Sequence, residues 1–288
     1  MAIETQQDIT VNGVTLRVVT WGTFTTPKRT ALLVHGITAS HLNWATFGPY
    51  LAARGWYVIA PDLRGRGLSE KPAHGYGIPY HANDLLGICD HFGLARMNFV
   101  GHSLGALIGL FLGAIHPERV ARLVLVDAGG RLPEDTYQAI APALSRLGTV
   151  YPSLDAYLTA MRHTSRFPWD AFGERYFRYD ADVRADGTVM SRVPKAAIAE
   201  EVAVNTLVDT AAMPEQIRAP ALIVRATVGL LGGDRGLLLP RNEAERMQTA
   251  MADSRIVEIA GTDHYTVVLA DQFAGAVAAF LEEPSRSS

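Results

Sequence analysis

Short runs of apolar residues alternate with segments of helical periodicity along most of this chain. The runs end at turn residues and have the length and composition of strands that are covered on both faces. They lie at 31–34, 56–60, 97–100, 122–127, 221–225 and 256–259. Between them, residues 44–54, 80–92 and 241–251 carry apolar side chains at helical spacing. This alternation predicts a parallel sheet with helices packed against it.

Two segments depart from the alternation. Residues 9–18 alternate apolar and polar positions around Asn12-Gly13, a dipeptide typical of a tight hairpin, which predicts an antiparallel entry into the sheet. Between 131 and 214 the chain holds many aromatic residues and arginines but no clear strand of the sheet. We interpret 131–214 as an inserted, mostly helical cap, and 1–130 with 215–288 as the core that carries it.

The composition is that of a folded protein with a large core. Of the 288 residues, 48% are hydrophobic and 19% are charged, and the formal net charge is −3. Such a charge gives no reason to expect nucleic acid or a membrane surface as a partner, and it leaves a small-molecule substrate open. The single cysteine, Cys89, excludes an internal disulfide, and the N-terminal residues lack the features of a secretory signal. We therefore expect a cytoplasmic protein, whose oligomeric state the sequence does not indicate.

A serine stands where the pattern predicts a sharp turn from strand to helix. Ser103 is the central residue of Gly-His-Ser-Leu-Gly at 101–105, which follows the apolar run 97–100 and opens the apolar segment 106–112. A tight reversal crowds the backbone, so side chains in place of the two glycines would collide with the neighbouring strand and helix. The pattern is that of a nucleophile elbow, and Ser103 is the predicted nucleophile.

Two further loops supply the groups that such a serine needs. A serine hydroxyl requires a base, usually a histidine oriented by a carboxylate, and His264 directly follows the last predicted strand. His35-Gly36 follows the run 31–34, and its glycine allows a close approach to the elbow. The backbone N–H groups of Ile37 and Leu104 are therefore the predicted donors to an oxyanion.

Two aspartates are candidates for the carboxylate that orients the histidine. Asp127 ends a predicted strand, and a strand end fixes a side chain more firmly than a flexible loop does. Asp234 lies in the glycine-rich segment 229–236, which gives it little rigidity. We favour Asp127, and the choice between the two stays open at this point.

Several of these features together resemble the α/β-hydrolase superfamily, in the lid-bearing branch of serine hydrolases that contains esterases and amide or carbon–carbon bond hydrolases. They are the initial hairpin, His35-Gly36, the segment 62–69, the elbow and Asp263-His264. The resemblance covers nearly all of the chain and is weakest in the cap. It implies an α/β fold with a mostly parallel eight-stranded sheet, helices on both faces and an inserted helical cap. Because the elbow carries serine rather than aspartate, the epoxide hydrolase and haloalkane dehalogenase subfamilies are disfavoured.

The residues and the resemblance predict a serine hydrolase that cleaves a small-molecule carboxylic ester, lactone or amide through an acyl-enzyme, in a degradative role. No cofactor is expected, because water completes the second half-reaction, and the spacing of the histidines indicates no metal site. Relatives usually carry the acid after the seventh strand, near Asp234, although some carry it after the sixth, where Asp127 stands. One alternative is a carbon–carbon bond hydrolase acting on a vinylogous diketone. The other is a ligand receptor that has kept the fold.

Residues near the oxyanion loop and in the cap are candidates for contacts with substrate. His41 and Trp44 follow the oxyanion loop closely and are expected to line the acyl side of the pocket. In the cap, arginines and aromatic residues are placed to hold an acidic or aromatic substrate, and they fit solvated helix surfaces and core packing equally well. These residues are Arg146, Arg166, Trp169, Arg175, Tyr176 and Arg178.

Overall fold

A mostly parallel eight-stranded sheet forms the centre of the computed structural model, which describes residues 3–131 and 133–284. The strands of this described chain are β1 (Glu4–Val11), β2 (Val14–Trp21), β3 (Thr30–Val34), β4 (Tyr57–Pro61), β5 (Met97–His102), β6 (Val120–Val126), β7 (Ala181–Val183), β8 (Val189–Ser191), β9 (Ala221–Ala226) and β10 (Ser254–Ile259). The sheet has the order β1-β2-β4-β3-β5-β6-β9-β10. β2 runs antiparallel to β1 and β4, and the other neighbours are parallel. The predicted fold class is confirmed.

Helices connect the parallel strands and cover the sheet. They are α1 (Phe47–Ala52), α2 (Ile78–His91), α3 (Leu104–Ile115), α4 (Thr136–Ser145), α5 (Leu154–Thr164), α6 (Ala171–Asp180), α7 (Lys195–Asn205), α8 (Arg241–Ala250) and α9 (Asp271–Glu282). α1 is shorter than the segment 44–54 predicted for it. It begins just before Pro49, a residue that has no N–H and is tolerated in a first helical turn but not in a helix interior. None of the helices in the described ranges is long and apolar enough to cross a membrane.

The central strands are buried on both faces, as their continuous apolar runs predict. In β3, Leu32 and Val34 join one hydrophobic cluster, whereas Ala31 and Leu33 join the cluster on the other side of the sheet. Successive side chains of a strand point to opposite faces, so one short run contributes to both halves of the core. This explains why the runs are continuous rather than alternating.

The N-terminal hairpin is longer than the sequence pattern predicts. Its turn is Asn12-Gly13, and both residues have positive φ angles, 50° and 75°, as a two-residue hairpin turn requires. β1 starts at Glu4, well before the alternating segment, because its first residues are exposed on the edge of the sheet and need no apolar side chains.

Between β6 and β9 the described chain contains α4 to α7 and a small antiparallel ribbon of β7 and β8. Tyr157, Phe177 and Val189 are buried in a hydrophobic cluster of this segment. The sequence pattern did not indicate the ribbon, because strands of three residues are too short to leave a periodic signal. The boundaries of the cap at 131 and 214 stay a prediction.

The site residues predicted from the sequence lie on segments that leave the sheet at one edge. Ser103 follows β5, Asp127 follows β6, His264 follows β10, and Gly36 follows β3. In an open α/β sheet, ligands bind outside the carboxyl ends of the strands. The topology therefore gathers residues that are up to about 230 positions apart in sequence.

Candidate active site

The turn between β5 and α3 holds Ser103 in an unusual backbone conformation. Its φ and ψ angles are 56° and −120°, a region that residues with side chains rarely occupy. A Cβ atom at Gly101 would lie 2.2 Å from the carbonyl oxygen of Gly105, and one at Gly105 would lie 2.2 Å from that of Val34. Both glycines are therefore required for α3 to fold back against β3 and β5, and the turn presents the hydroxyl of Ser103 at the edge of the sheet.

The structure brings Ser103, His264 and Asp127 into one hydrogen-bonded chain. His264 Nε2 lies 3.0 Å from Ser103 Oγ, and His264 Nδ1 lies 2.8 Å from Asp127 Oδ2. A carboxylate only accepts hydrogen bonds, so the imidazole carries its proton on Nδ1 and presents a lone pair on Nε2 to the serine hydroxyl. Both ring nitrogens of His264 therefore have partners. Asp234, the other candidate carboxylate, is not one of them and is exposed in its loop.

The backbone around Asp127 fixes its carboxylate. Its φ angle is 50°, its N–H donates to the carbonyl of Val224 over 2.7 Å, and its Oδ1 accepts the N–H of Ala226 over 2.8 Å. Both partners belong to β9, the neighbouring strand. One carboxylate oxygen is thus anchored to the sheet while the other faces His264, so the orientation of the imidazole is set by the rigid part of the fold.

His102 supports the loop that carries His264. Burial lowers its pKa well below the usual range, so the ring is neutral. Its Nε2 donates to the backbone carbonyl of His264 over 2.8 Å, which leaves Nδ1 to accept from the amide of Asn43 over 3.4 Å. No sequence pattern indicated Asn43, which reaches this site from the turn after β3.

The oxyanion loop, residues 36–39, passes directly beside the serine. A Cβ atom at Gly36 would lie 3.0 Å from Ser103 Cβ and 3.5 Å from its Oγ, so a larger residue would press against the serine and glycine favours this close approach. In the described chain, the backbone N–H groups of Ile37 and Leu104 donate no hydrogen bond. Leu104 is also the first residue of α3, where the helix dipole is positive. The two predicted donors are available to a developing negative charge.

His35 joins the oxyanion loop to the segment after β4. Its Nδ1 donates to the carbonyl of Gly36 over 2.8 Å, and its Nε2 accepts the N–H of Leu63 over 3.0 Å. This pattern requires a neutral ring. Burial lowers the pKa of His35 from 6.5 to about 4, although Asp62 opposes that effect.

The neutral state of His35 makes the fold sensitive to acid. Between pH 6.5 and about 4 the unfolded chain binds a proton at this residue and the folded chain does not, so stability falls as the pH falls. This interval corresponds to about 3 kcal/mol in the free energy of unfolding. We expect His35→Gln to make the dependence of urea-unfolding midpoints on pH between 6.5 and 4 less steep, whereas the exposed His163→Gln leaves it as it is. Parallel profiles for the wild type and His35→Gln would contradict this assignment.

Buried arginines hold two successive carbonyl groups of the oxyanion loop. Arg66 Nε donates to the carbonyl of Ile37 over 2.9 Å, and Arg146 Nη2 donates to that of Thr38 over 2.9 Å. Each arginine also pairs with a buried carboxylate, Arg66 with Glu201 on α7 and Arg146 with Asp180 at the end of α6. The segment between β6 and β9 is thereby linked to the loop that carries the Ile37 N–H.

A cavity of about 220 Å³ lies against Ser103 and His264. Ile37, Leu104 and Tyr176, three of the residues singled out in the sequence, line it. It is otherwise walled mainly by apolar side chains from α3, α4 and α7. The described residues contain no group of three or more His, Cys, Asp or Glu side chains that could hold a metal ion.

Seven of the eight residues expected to contact substrate do not line this cavity. Arg146 and Arg166 line an adjoining cavity, and Arg175 pairs with Glu4. Trp44 packs against Phe273 in the core on the far side of the sheet. His41 bonds through Nδ1 to the buried Asp62 over 2.9 Å. Trp169 and Arg178 are engaged within the inserted segment. Trp169 stacks on Phe177, and Arg178 pairs with Glu174 one helical turn away.

Comparison with known proteins identifies relatives of this chain. A family model described as alpha/beta hydrolase fold matches residues 31–269. The 2-(acetamidomethylene)succinate hydrolase of Mesorhizobium japonicum is 29% identical over 239 residues, which cover 81% of each protein. Epoxide hydrolase A of Mycobacterium tuberculosis is 37% identical over 129 residues, covering 44% of this chain and 39% of that enzyme. The crystal structure of E-2-(acetamidomethylene)succinate hydrolase superposes with a TM-score of 0.83 at 23% identity, over 98% of this chain and all of that one.

Proposed function

The chain belongs to the α/β-hydrolase family, and we propose that it is a serine hydrolase that cleaves a small carboxylic ester, lactone or amide through an acyl-enzyme. The observation that carries this proposal is the chain of hydrogen bonds from Asp127 through His264 to Ser103. The hydroxyl, the base and the orienting carboxylate are in reach of one another without any rearrangement.

The first half-reaction forms an ester on the serine. Ser103 Oγ attacks the carbonyl carbon of the substrate while its proton passes to His264 Nε2, and Asp127 stabilises the resulting imidazolium. The negative charge on the substrate oxygen is met by the N–H groups of Ile37 and Leu104. When the tetrahedral intermediate collapses, the bond to the alcohol or amine breaks, and the leaving group takes the proton from His264.

The second half-reaction releases the acid. Water gives one proton to His264 Nε2 and attacks the acyl carbon, so a second tetrahedral intermediate forms in the same oxyanion site. Its collapse breaks the bond to Ser103 Oγ, which recovers the proton from the imidazole. The products are a carboxylic acid and the alcohol or amine, and the enzyme returns to its starting state.

We do not propose the reaction of epoxide hydrolases for this chain, although one of these enzymes is among its relatives. By the family resemblance, that chemistry uses a carboxylate nucleophile at the elbow, and this elbow carries Ser103. A carbon–carbon bond hydrolase shares the serine, histidine and aspartate but needs cationic side chains beside the substrate carboxylate. The described lining of the cavity offers no arginine or lysine for that purpose, so the acyl-transfer reaction is preferred.

Covalent labelling tests the proposal. A fluorophosphonate should add once to the wild-type protein, on the peptide that contains Ser103, and should not add to Ser103→Ala. p-Nitrophenyl acetate should release a burst of about one nitrophenol per active site before steady turnover, because the acyl-enzyme accumulates. Ser254→Ala, which removes a partly buried hydroxyl outside the cavity, is the control and should label normally. Labelling of Ser103 without turnover of any ester or amide would instead support a ligand receptor on this fold.

A further inference from the structure

We infer that this site takes an uncharged, mainly apolar substrate and discriminates against substrates that carry a second carboxylate near the scissile bond. The inference rests on the proposed function and concerns its substrate class. It separates this chain from its relative in Mesorhizobium japonicum, whose name specifies a succinate derivative as substrate. The observation behind it is the chemical character of the cavity wall.

No described residue that lines the cavity is Asp, Glu, Lys or Arg. The wall is built largely from aliphatic and aromatic side chains, among them Ile78, Leu107, Ile140, Leu144, Phe167 and Val202. Two histidines also line it. His264 is engaged by Asp127 and Ser103, and His102 is neutral and donates to a backbone carbonyl. Neither ring is free to act as a cation toward a substrate carboxylate.

The two arginines that hold the oxyanion loop beside this cavity are already engaged. Arg146 is buried between Asp180 and the carbonyl of Thr38, and Arg66 is buried between Glu201 and the carbonyl of Ile37. Arg166 lines an adjoining cavity rather than this one; its side chain is 49% exposed and donates to the carbonyl of Leu230. A carboxylate in the cavity beside Ser103 would therefore be desolvated without a cationic partner.

Apart from the two histidines, the polar side chains of the wall are uncharged hydroxyls and amides. The buried hydroxyl of Thr136 has no hydrogen-bond partner among the described residues and can donate to a ligand oxygen. The hydroxyls of Thr206 and Thr210 donate to backbone carbonyls, and the amide oxygen of Asn205 accepts from the N–H of Ile78. The hydroxyl oxygens keep acceptor capacity, which repels an anion and accommodates a hydroxyl or an N–H. At about 30 Å³ for each water-sized group, the cavity of about 220 Å³ has room for at least about seven non-hydrogen atoms.

Moving an unpaired carboxylate from water into such a cavity costs far more free energy than the loss of one hydrogen bond. We therefore expect a large penalty for a charged acyl chain relative to a neutral chain of the same length. The p-nitrophenyl monoester of adipic acid and its methyl ester provide this comparison, because they differ only in the terminal carboxylate. The expected result is a kcat/KM at least about 100-fold higher for the methyl ester. Equal values, or a preference for the free acid, would overturn the inference.

Binding to Ser103→Ala separates this inference from the proposed reaction. Calorimetry with methyl adipamate and with adipamate measures the same charge difference without turnover, and the neutral amide should bind at least about 100-fold more tightly. If the wild type turns over neither ester but Ser103→Ala keeps this preference, the proposed reaction fails and the substrate class stands. If adipamate binds as tightly as methyl adipamate, or if neither binds, the substrate class is wrong.

A cation placed in the wall should weaken the preference. Val202 lines the cavity and is only half buried, so Val202→Lys can keep its ammonium hydrated at the rim until a carboxylate binds. We expect kcat/KM for the adipate monoester to rise about tenfold or more. Leu207→Lys adds the same charge at an exposed position that does not line the cavity, and it should change that value less than about twofold. An equal rise in both variants, or no rise in Val202→Lys, would contradict the role assigned to the uncharged wall.

Discussion

Asp127→Asn is expected to lower kcat for an activated ester about 10⁴-fold. Asp127 Oδ1 accepts the N–H of Ala226, which leaves the second carboxyl position facing Nδ1 of His264. In asparagine that second position becomes an NH₂ group, which can only donate. The imidazole must then accept at Nδ1 and carry its proton on Nε2, so the lone pair that should receive the proton of Ser103 is lost.

Asp234→Asn is the matched control, because it makes the same chemical change at the competing aspartate. Asp234 is exposed in a glycine-rich loop, so kcat should stay within about twofold of the wild type. Steady-state rates with p-nitrophenyl acetate and a thermal unfolding curve for each variant make the comparison. A loss of activity confined to Asp234→Asn would show that the loop rearranges during catalysis and that the acid is Asp234.

The parts of the fold that follow from local pattern were predicted well. A strand that is covered on both faces must be apolar at every position, and a sharp strand-to-helix turn needs glycines at fixed offsets from Ser103. The residues that produce each signal lie within a few positions of one another in the sequence. Neither signal therefore depends on how distant segments pack. The same holds for the hairpin, whose turn at Asn12-Gly13 is decided by two residues with positive φ.

The neighbours of the cavity could not be predicted in this way. His41 and Trp44 follow the oxyanion loop closely in sequence, yet a turn of 3₁₀ helix at His41–Trp44 points Trp44 into the core and directs His41 to Asp62. Proximity along the chain is a poor guide to proximity in space once a loop reverses direction. Residues that do line the cavity, such as Val202 and Ile140, look in the sequence like any apolar helix position.

The burial of charged residues could not be predicted from the sequence either. Glu201 lies on a helix whose apolar periodicity is weak, and nothing in the sequence marks it as fully buried. It is buried only because α7 packs over the loop after β4, which places Arg66 beside it across 135 positions of sequence. A charged side chain is normally exposed unless an oppositely charged group is buried beside it, and only the tertiary structure shows that group.

The Arg66–Glu201 ion pair leads to the second prediction of a large effect, which concerns stability. Arg66→Met removes the partner of Glu201, which also accepts from His81 Nε2 over 3.1 Å, and leaves a carboxylate buried without its cation. We expect the free energy of unfolding to fall by about 3–5 kcal/mol. Glu201→Leu should cost a similar amount, whereas the double variant Arg66→Met/Glu201→Leu should be more stable than the sum of the two losses predicts, because both charges are gone. Urea unfolding of the four proteins measures this coupling.

Arg66 should also affect the rate, because its Nε donates to the carbonyl of Ile37, the residue whose N–H is a proposed donor to the oxyanion. In the folded fraction of Arg66→Met we expect kcat to fall about 100-fold with little change in KM, since the lost interaction acts on the transition state. Arg64→Met is the control. Arg64 also forms a buried pair, with Asp84 at 2.6 Å, but donates to the carbonyl of Gly75 instead of the oxyanion loop. It should therefore lose stability and keep kcat. If the two variants lose kcat equally, Arg66 matters for stability alone, and the oxyanion loop keeps its geometry without it.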